Sequence, residues 1–408
     1  MGTDRTAYTA RHANRRRFLG AASGALAGVG LTACGGGEGD GGSGSGERSR
    51  ATPSTPAPAE DDGPRPLYLG AYTSVAGGGD GIGLAAYEAA DGRITGGRTV
   101  EGVPDPSYLA VHPDGRTLYA ANEREEGAVT AVRLGDGEAP PRVLGTRPTG
   151  GSGTCHLSVH PSGRWLLSAD YGSGSVAVHP VAADGALGAA TDRVVHGSPR
   201  PGPGQDGPHA HQILTAPGGH VLAVDLGTDT VYTYRLDTRA GTLAETARTT
   251  VRAGAGPRHL TFHPSGRYAY LANELDDTVQ VCAYDPRTGR LRPARPQPTG
   301  GSGPGTAYPA NLAVTPDGRY AYLANRGPDT LVRYAVEAGG ARLRLVDSVP
   351  AGGAFPRQIA LSPSGRLLFA ANQRSGTVSV HRVDAKSGEL RPAGRPFTAP
   401  GASCALPR

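Results

Sequence analysis

Short apolar runs alternate with polar turns along most of this chain, and the alternation returns as one phrase. Each full copy sets a Pro-Ser-Gly or Pro-Asp-Gly turn between two apolar segments, as in FHPSGRYAYLANE. The full copies cover Val111–Glu123, Val159–Tyr171, Phe262–Glu274, Val314–Arg326 and Leu361–Gln373, and a decayed copy covers Thr215–Gly227. Proline presets φ and glycine accepts positive φ in such turns, so each copy predicts a strand, a tight turn and a second strand.

A second alternating run follows each copy, such as SGSVAVHPV or DTVQVCAYD, and then a further turn and a weaker strand. Each repeat therefore predicts four short antiparallel strands. The prolines that mark the copies are Pro113, Pro161, Pro217, Pro264, Pro316 and Pro363, which lie 47 to 56 residues apart. Strand-rich repeats of about this length indicate a β-propeller with four-stranded blades.

The two ends of the repeat region carry the two parts of one more blade. The segment from Tyr68 to Glu88 aligns with the second half of a repeat, and the final PGASCALPR aligns with the first half. Pairing of the N- and C-terminal strands would close the ring and leave fewer exposed sheet edges. The predicted fold is all-β, a seven-bladed β-propeller of four-stranded antiparallel blades over residues 64–408.

The first 63 residues lack the repeat. Residues 14–19 read NRRRFL, a twin-arginine pattern, and residues 31–34 read LTAC, which looks like a bacterial lipobox after a short apolar stretch. We predict a twin-arginine lipoprotein signal peptide over 1–34, lipidated at Cys34, and a Gly/Ser/Pro-rich tether over 35–63. The protein is then exported and held at the outer face of the cytoplasmic membrane by the lipid alone. A plain signal peptide with an incidental cysteine is the alternative.

Composition narrows the possible partners. The formal net charge of +5 is not gathered into a basic cluster interleaved with aromatic residues, so no nucleic-acid partner is expected. No CxxC or HExxH pattern is present, so we expect no structural zinc and no cofactor. Cys155, Cys282 and Cys404 are expected to be free and packed, and the protein is expected to be a monomer.

Alignment of the copies exposes positions that differ from blade to blade. Six residues before each marker proline, at the start of the predicted innermost strand, stand Ser107, Cys155, His211, Arg258, Ala310 and Arg357, with Cys404 aligned in the composite blade. Ten residues after the proline stand Glu123, Tyr171, Glu274, Arg326 and Gln373, with Tyr72 in the composite blade. A structural position would carry similar small or apolar residues in every copy. Three copies of the first position instead carry His or Arg, each directed at the axial channel.

Polar groups that converge at a channel mouth predict a small-molecule site. Arg258 and Arg357 favour an anionic ligand, because guanidinium groups match carboxylate and phosphate oxygens. His211, or His209 in the same GPHAHQ segment, could act as a general acid or base. Glu274 could orient an arginine or activate water, or it could tie neighbouring blades together.

Several charged residues and histidines are expected to be structural. The turn arginines recur at one position of the repeat, and a histidine opens three of the turns. His156 and His259 follow the channel position by one residue, so they are expected to face blade packing. Glu123 is expected to join neighbouring blades. The repeated turn residues are Arg116, Arg164, Arg267, Arg319 and Arg366, with His112, His160 and His263.

The segments GPHAHQ, GPRHLTFHPSGRYAYLANE and FPRQIALSPSGRLLFAANQ, with the opening YLGAYTS, resemble the bacterial lactonase family. That family includes propeller-type 6-phosphogluconolactonases and carboxy-cis,cis-muconate lactonizing enzymes. The resemblance runs from about Pro66 to Cys404 and implies a metal-free site of one histidine, two arginines and a glutamate at the channel mouth. Matched by motif, these are His209 or His211, Arg258, Arg357 and Glu274.

The resemblance implies that the protein hydrolyses a lactone, anionic or sugar-derived, as its small-molecule partner. Two alternatives remain open. One is a muconate-type cyclase or isomerase, which would use the same site residues. The other is a non-catalytic propeller that binds a ligand or a partner at the cell surface, since a propeller fold alone does not decide among functions.

Overall fold

Seven antiparallel sheets account for the part of the chain that the computed structural model describes, residues 63–135, 139–197, 205–300 and 306–408. Blade 1 contains β1 (Pro64–Ala71), β2 (Gly81–Glu88) and β3 (Ile94–Glu101). Blade 2 contains β4 (Pro106–Val111), β5 (Thr117–Asn122), β6 (Ala128–Arg133) and β7 (Arg142–Pro148). Blade 3 contains β8 (Thr154–Val159), β9 (Trp165–Asp170), β10 (Ser175–Pro180) and β11 (Asp192–Val195).

The second half of the chain repeats the same arrangement. Blade 4 contains β12 (Ala210–Thr215), β13 (Val221–Asp225), β14 (Thr230–Asp237) and β15 (Thr242–Thr250). Blade 5 contains β16 (Pro257–Phe262), β17 (Tyr268–Asn273), β18 (Thr278–Asp285), β19 (Arg290–Pro293) and β20 (Gln297–Pro298). Blade 6 contains β21 (Tyr308–Val314), β22 (Tyr320–Arg326), β23 (Thr330–Glu337) and β24 (Arg342–Pro350), with a 3-10 turn at Ala338–Gly340. Blade 7 contains β25 (Pro356–Leu361), β26 (Leu367–Asn372), β27 (Thr377–Val383), β28 (Leu390–Pro392) and β29 (Phe397–Thr398).

The ring closes through the last strand of the chain, β30 (Ala402–Pro407). β30 pairs antiparallel with β1, with Leu67 opposite Pro407 and Gly70 opposite Cys404. It is therefore the innermost strand of blade 1, whose strand order is β3-β2-β1-β30. The predicted seven-bladed propeller is confirmed, and its composite blade is made from both chain ends.

The repeated turns form as their sequence predicts. In the first copy the N–H of Gly115 donates to the carbonyl of His112 at 2.9 Å, and Gly115 adopts a φ of 74°. The His112 side chain then reaches the next blade, with its Nε2 2.9 Å from the carbonyl oxygen of Gly163. His263 makes the corresponding contact with Gly318 at 3.2 Å. These two histidines join blades.

The core lies between adjacent blades, and buried tyrosines of the second strands cross it. The hydroxyl groups of Tyr119, Tyr270 and Tyr322 are fully buried, and each donates to a backbone carbonyl of the following blade. A tyrosine suits this place because its ring fills the apolar layer while its hydroxyl satisfies an otherwise unpaired carbonyl. The same contact therefore joins adjacent sheets at three places around the ring.

Side-chain amides join the innermost strands of neighbouring blades around the channel. Asn311 of β21 accepts from the N–H of Ile359 at 2.9 Å and donates to its carbonyl at 3.1 Å. Gln212 makes the same pair of bonds with Leu260, and the Gln358 side chain accepts from the N–H of Ala405. These three residues stand five positions before the marker prolines. They satisfy edge groups that face the channel, which holds the inner strands in register.

The predicted signal peptide over 1–34, its lipidation at Cys34, and all but the last residue of the tether lie outside the described residues. Cys155, Cys282 and Cys404 are free and buried. No helix among the described residues is long and apolar enough to cross a membrane.

Candidate active site

A β-bulge occurs at the same place in the innermost strand of every blade. In blade 5 the pairing of β16 with β17 passes from Pro257 to His259, so that Arg258 is left unpaired. The same shift leaves out Ser107, Cys155, His211 and Arg357 in their blades. A bulge bends the strand and redirects the extra residue. The fold therefore turns these side chains out of the sheets and into the channel.

The bulged residues line a single pocket between the innermost strands of the blades. His211, Arg258 and Arg357 are brought together there, as the alignment of the copies predicts. The full lining is Ser107, Tyr108, Cys155, His211, Arg258, His259, Arg357, Gln358 and Ser403.

Two sequence predictions about this pocket need correction. The bulge in β30 falls on Ser403, so Ser403 and not Cys404 holds the channel position in blade 1. Cys404 instead packs in the apolar layer with Ile82 and Val100. His156 faces the next blade as predicted, accepting from the N–H of Ile213 at 3.4 Å. His259 contacts the preceding blade as predicted, with its Nδ1 3.0 Å from Nε2 of Gln212, but it also lines the pocket, because the bulge breaks the alternation of side chains between the two faces.

Arg258 is buried and held by one hydrogen bond and one ion pair. Its Nη1 donates to the carbonyl of Ala310 at 2.6 Å, and its Nε lies 2.9 Å from Oε2 of Glu274. Burial, with the nearby charge of Arg326, lowers the pKa of Arg258 to about 9, so its guanidinium remains charged at neutral pH. Glu274 thus holds Arg258 by charge at the position that the sequence suggested.

Arg326 completes a three-residue cluster with Arg258 and Glu274. Its Nη2 lies 2.6 Å from Oε2 of Glu274, and it also donates to the carbonyls of Tyr308 and Pro309. Burial alone would raise the pKa of Glu274, but the charges of Arg326 and Arg258 outweigh it and the pKa is lowered. Glu274 is therefore an anion between two arginines, which makes it a poor proton acceptor.

Arg357 has its own acidic partner across the channel. Its Nη2 lies 3.2 and 3.1 Å from the two carboxylate oxygens of Glu123, and its Cζ lies 5.4 Å from the ring centroid of Tyr72. The Tyr72 hydroxyl donates to Oε2 of Glu123 at 2.7 Å. Burial lowers the pKa of Arg357, but Tyr72 and Glu123 outweigh it and the pKa is raised. Glu123 joins blades as predicted and also fixes a pocket arginine.

His211 is the histidine that faces the arginines. Its ring meets Tyr171 and His259 edge-on, with centroid distances of 5.7 and 5.8 Å. Its Nδ1 is buried and has no hydrogen-bond partner among the described residues. Burial, and then the charge of Arg258, places the pKa of His211 well below its usual value. The imidazole is therefore neutral at pH 7.

His209 lies outside the pocket lining and is engaged on both ring nitrogens. Its Nδ1 is 2.9 Å from the carbonyl of Tyr171, and its Nε2 is 2.9 Å from a carboxylate oxygen of Asp206. The ring also stacks on Tyr171, with centroids 4.4 Å apart. Both partners are hydrogen-bond acceptors. When His209 bonds to both, its two ring nitrogens act as donors and neither can accept a proton. His211 has the better geometry for proton transfer.

Cys155 is the remaining reactive side chain in the lining. Its thiol lies 3.5 Å from the carbonyl of His211, and burial raises its pKa. A protonated, buried thiol is a weak nucleophile. Among the described residues, no group of three or more His, Cys, Asp or Glu side chains could hold a metal ion.

The offset of six residues identified the pocket arginines and His211, whereas three supporting residues were not predicted as part of the site. Arg326, Glu123 and Tyr72 stand at the second offset, ten residues after the proline. The sequence signal for these residues is that the position ten residues after the proline carries acidic side chains in some copies and a basic one in another. Their partners could not be read from the sequence, because each pair joins different blades.

Comparisons with known proteins identify the family of the chain. The family model described as "Lactonase, 7-bladed beta-propeller" matches residues 66–407. The 6-phosphogluconolactonase of Bacillus subtilis is 32% identical over 293 residues, which cover 70% of this chain and 82% of the relative.

Solved structures extend the similarity to the whole propeller. The periplasmic gluconolactonase of Pseudomonas aeruginosa matches with a TM-score of 0.78 and 31% identity, covering 85% of this chain and 99% of that one. A protein from Lactobacillus plantarum matches with a TM-score of 0.79 and 31% identity, covering 85% and 99%. With the repeats and the closed ring, these matches show that the chain belongs to the lactonase family of seven-bladed β-propellers.

Proposed function

We propose that the protein hydrolyses a lactone in the pocket formed by His211, Arg258 and Arg357. The observation that carries the proposal is the neutral His211 imidazole, whose unpartnered, buried Nδ1 shares one pocket with two charged arginines. A neutral imidazole can accept a proton from water, and fixed cations can stabilise the oxyanion that forms in acyl transfer.

The reaction begins when His211 removes a proton from a water molecule. The water oxygen bonds to the lactone carbonyl carbon, and the carbonyl oxygen becomes an oxyanion that Arg258 stabilises. Collapse of this intermediate breaks the bond between the carbonyl carbon and the ring oxygen. The ring oxygen leaves with the proton that His211 accepted, and the product is an open-chain hydroxy acid. Run backwards, the same steps close a lactone, as a cyclase would.

Charge favours a substrate that carries an anionic or strongly polar group. Three arginines and two glutamates surround the pocket, which leaves one net positive charge. Arg357 holds Glu123 through one nitrogen, Nη2, so other guanidinium donors can meet a carboxylate, phosphate or hydroxyl of the substrate. The carboxylate, phosphate or hydroxyl group would bind at Arg357 while the carbonyl points to Arg258.

The predicted export signal affects which lactone the protein would encounter. The relative from Bacillus subtilis is a 6-phosphogluconolactonase, and the one from Pseudomonas aeruginosa is a periplasmic gluconolactonase. An enzyme anchored through Cys34 outside the cytoplasm would meet sugar lactones of the second kind. We propose that location, a monomeric state and an unphosphorylated aldonolactone as the first substrate to test.

Initial rates of full-length protein on a panel of lactones test the proposal. The panel contains D-glucono-δ-lactone, its 6-phosphate and a neutral aliphatic lactone, each corrected for spontaneous opening. We expect turnover of a sugar lactone and a loss of about 10² to 10⁴ in kcat for His211→Asn. His112→Asn, in the inter-blade contact, is the matched control and should retain activity. No turnover of any lactone, in either direction, would reject the proposal.

A further inference from the structure

The backbone carbonyl that precedes the bulge has an equivalent partner in six blades. It accepts the N–H of the second-offset residue in five blades and that of Leu226 in blade 4, at distances of 2.7 to 3.1 Å. The residues that supply it are Asp105, Gly153, His209, Gly256, Phe355 and Gly401. This position, which we term the collar position, lies two residues before the bulged residue in each of these blades.

Phe355 occupies the collar position of blade 7 in a strained conformation. Its φ is 63°, in the left-handed region, close to the 66°, 63° and 67° of Gly153, Gly256 and Gly401. Glycine adopts this region without cost, whereas a bulky residue there is a marked outlier. Such strain costs about 1–3 kcal/mol and persists where the surroundings require it.

The other side chains at the collar position have evident structural reasons. Asp105, at a φ of 42°, accepts from the N–H groups of Thr73 and Ser74, both at 2.8 Å. His209 is not in the left-handed region and bonds through its ring nitrogens. Phe355 has no polar side-chain atom, so whatever favours it must come from the contacts of its ring.

The Phe355 ring contacts two guanidinium groups. The Cζ of exposed Arg374 lies 3.9 Å from the ring centroid, and the Cζ of buried Arg326 lies 5.3 Å from it. Cation–π attraction is stronger where the cation is desolvated, which describes Arg326. Arg326 in turn reaches Glu274, which holds Arg258. The ring is thus the outermost member of a chain of contacts that ends at the pocket.

We propose that Phe355 is a positioning residue, which holds Arg326 against Glu274 and thereby fixes Arg258 for oxyanion stabilisation. This inference rests on the function proposed above. The strained backbone is the cost of placing an aromatic face beside Arg326 where glycine would otherwise stand.

Three variants of the full chain separate this role from simple packing. Phe355→Tyr keeps the ring and the strain, Phe355→Leu keeps the bulk and the strain without the π face, and Phe355→Gly removes both ring and strain. We expect kcat on the best lactone to fall roughly ten-fold in the Leu and Gly variants with KM little changed, and to stay near wild type in the Tyr variant. The thermal midpoint of Phe355→Gly should not fall, because relief of strain offsets the lost contacts.

Ala338→Gly is the matched control. Ala338 also has a left-handed φ, 51°, but it lies in an exposed turn at the far end of blade 6. Its change to glycine should raise stability and leave kcat unchanged.

Activity within two-fold of wild type in the Leu and Gly variants would overturn the inference, as would an equal loss in the Tyr variant. If wild type opens no lactone, the proposed function fails on its own, and inorganic phosphate replaces the substrate. Stabilisation of wild type by phosphate in thermal unfolding should then be weaker in Phe355→Leu and unchanged in Phe355→Tyr. Equal stabilisation of all three proteins would overturn the inference.

Discussion

Among single residues, burial assigns different charge states to neighbouring ionisable groups. Desolvation keeps His211 neutral, whereas Arg258 stays charged at a pKa of about 9 and Glu274 stays ionised between two arginines. Pairs of groups whose pKa values are driven apart by their surroundings mark acid–base sites. The pocket therefore presents a neutral His211 imidazole and two cations at neutral pH.

The pH dependence of the rate should reflect the lowered pKa of His211. The acceptor must be deprotonated, so kcat/KM should stay constant as the pH falls from 8 through 6.5 and decline only at lower pH. An ordinary histidine would halve the rate near pH 6.5. The measurement is kcat/KM on the best lactone between pH 5 and 8, with spontaneous opening subtracted. An acid limb centred near pH 6.5 would contradict the charge state assigned here.

Glu274→Gln should affect activity and stability together. It removes the negative charge that separates Arg258 from Arg326, and breaking a buried pair leaves uncompensated charge. We expect the free energy of unfolding to fall by about 3 kcal/mol and kcat/KM to fall about 10²-fold.

Glu389→Gln is the control for that variant, since Glu389 pairs with Arg391 at the surface. Denaturant titration and lactone kinetics on both variants make the comparison. A neutral effect of Glu274→Gln on kcat/KM would remove Glu274 from the site.

At the level of single strands, the bulge directs one side chain of each inner strand to the channel, and the inter-blade amides join neighbouring strands. The bulge sends one residue per inner strand into the channel, and the residue that follows it joins the next blade. Gln212, Asn311 and Gln358 do this with amides, and His156 does it with an imidazole. The bulged residue thus faces the pocket, while the residue after it can join blades and, as Gln358 does, also line the pocket.

Asn311→Leu should destabilise the ring. It leaves the N–H and the carbonyl of Ile359 without their side-chain partners, so the free energy of unfolding should fall by about 2–3 kcal/mol. Asn311→Gln is the matched control, because glutamine stands at this position in blades 4 and 7, and it should cost less than about 1 kcal/mol. Urea denaturation measures both. Equal losses would show that volume, not the hydrogen bonds, matters at this position.

The sequence predicts the strands well and their irregularities poorly. Turn chemistry and the spacing of the prolines give the blades, and the fixed offset finds His211, Arg258 and Arg357. The bulge is not visible in the sequence. The alignment therefore predicts Cys404 where Ser403 stands, and it predicts that His259 packs between blades without lining the pocket. The strain at Phe355 and the pairing of Arg326 with Glu274 depend on contacts between blades, which local sequence does not encode.

For the molecule as a whole, closure of the ring creates the pocket and buries the groups that line it. Residues far apart in the chain meet there, such as Glu123 and Arg357, which are 234 positions apart. The same burial surrounds His156, His211 and His259, and the ring centroid of His259 lies 5.2 Å from that of His156 and 5.8 Å from that of His211. All three have lowered pKa values through desolvation, and that of His156 falls to about 3.

These histidines should make the propeller sensitive to acid. Their pKa values in the folded state lie below the unfolded value of about 6.5. Below that pH the unfolded state therefore binds protons that the folded state does not bind. Stability should fall as the pH drops below about 6.5, by up to roughly 1.4 kcal/mol per pH unit for each histidine. Urea midpoints from pH 8 to 5 measure the slope.

His156→Gln tests the source of this slope, since Gln212 fills the same position in blade 4. The variant should lose about a third of the three-histidine contribution, roughly 1.4 kcal/mol per pH unit. A slope unchanged from wild type would show that other groups cause the acid sensitivity.

The most direct measurement of the central claim compares Arg258→Ala with Arg267→Ala in lactone hydrolysis by the full chain. Both remove an arginine of blade 5, but Arg258 lines the pocket and Arg267 lies in an exposed repeated turn. We predict that Arg258→Ala lowers kcat/KM by about 10² to 10³, while Arg267→Ala stays within two-fold of wild type. Equal activity of the two variants, with both folded by circular dichroism, would contradict the assignment of the channel mouth as the lactonase site.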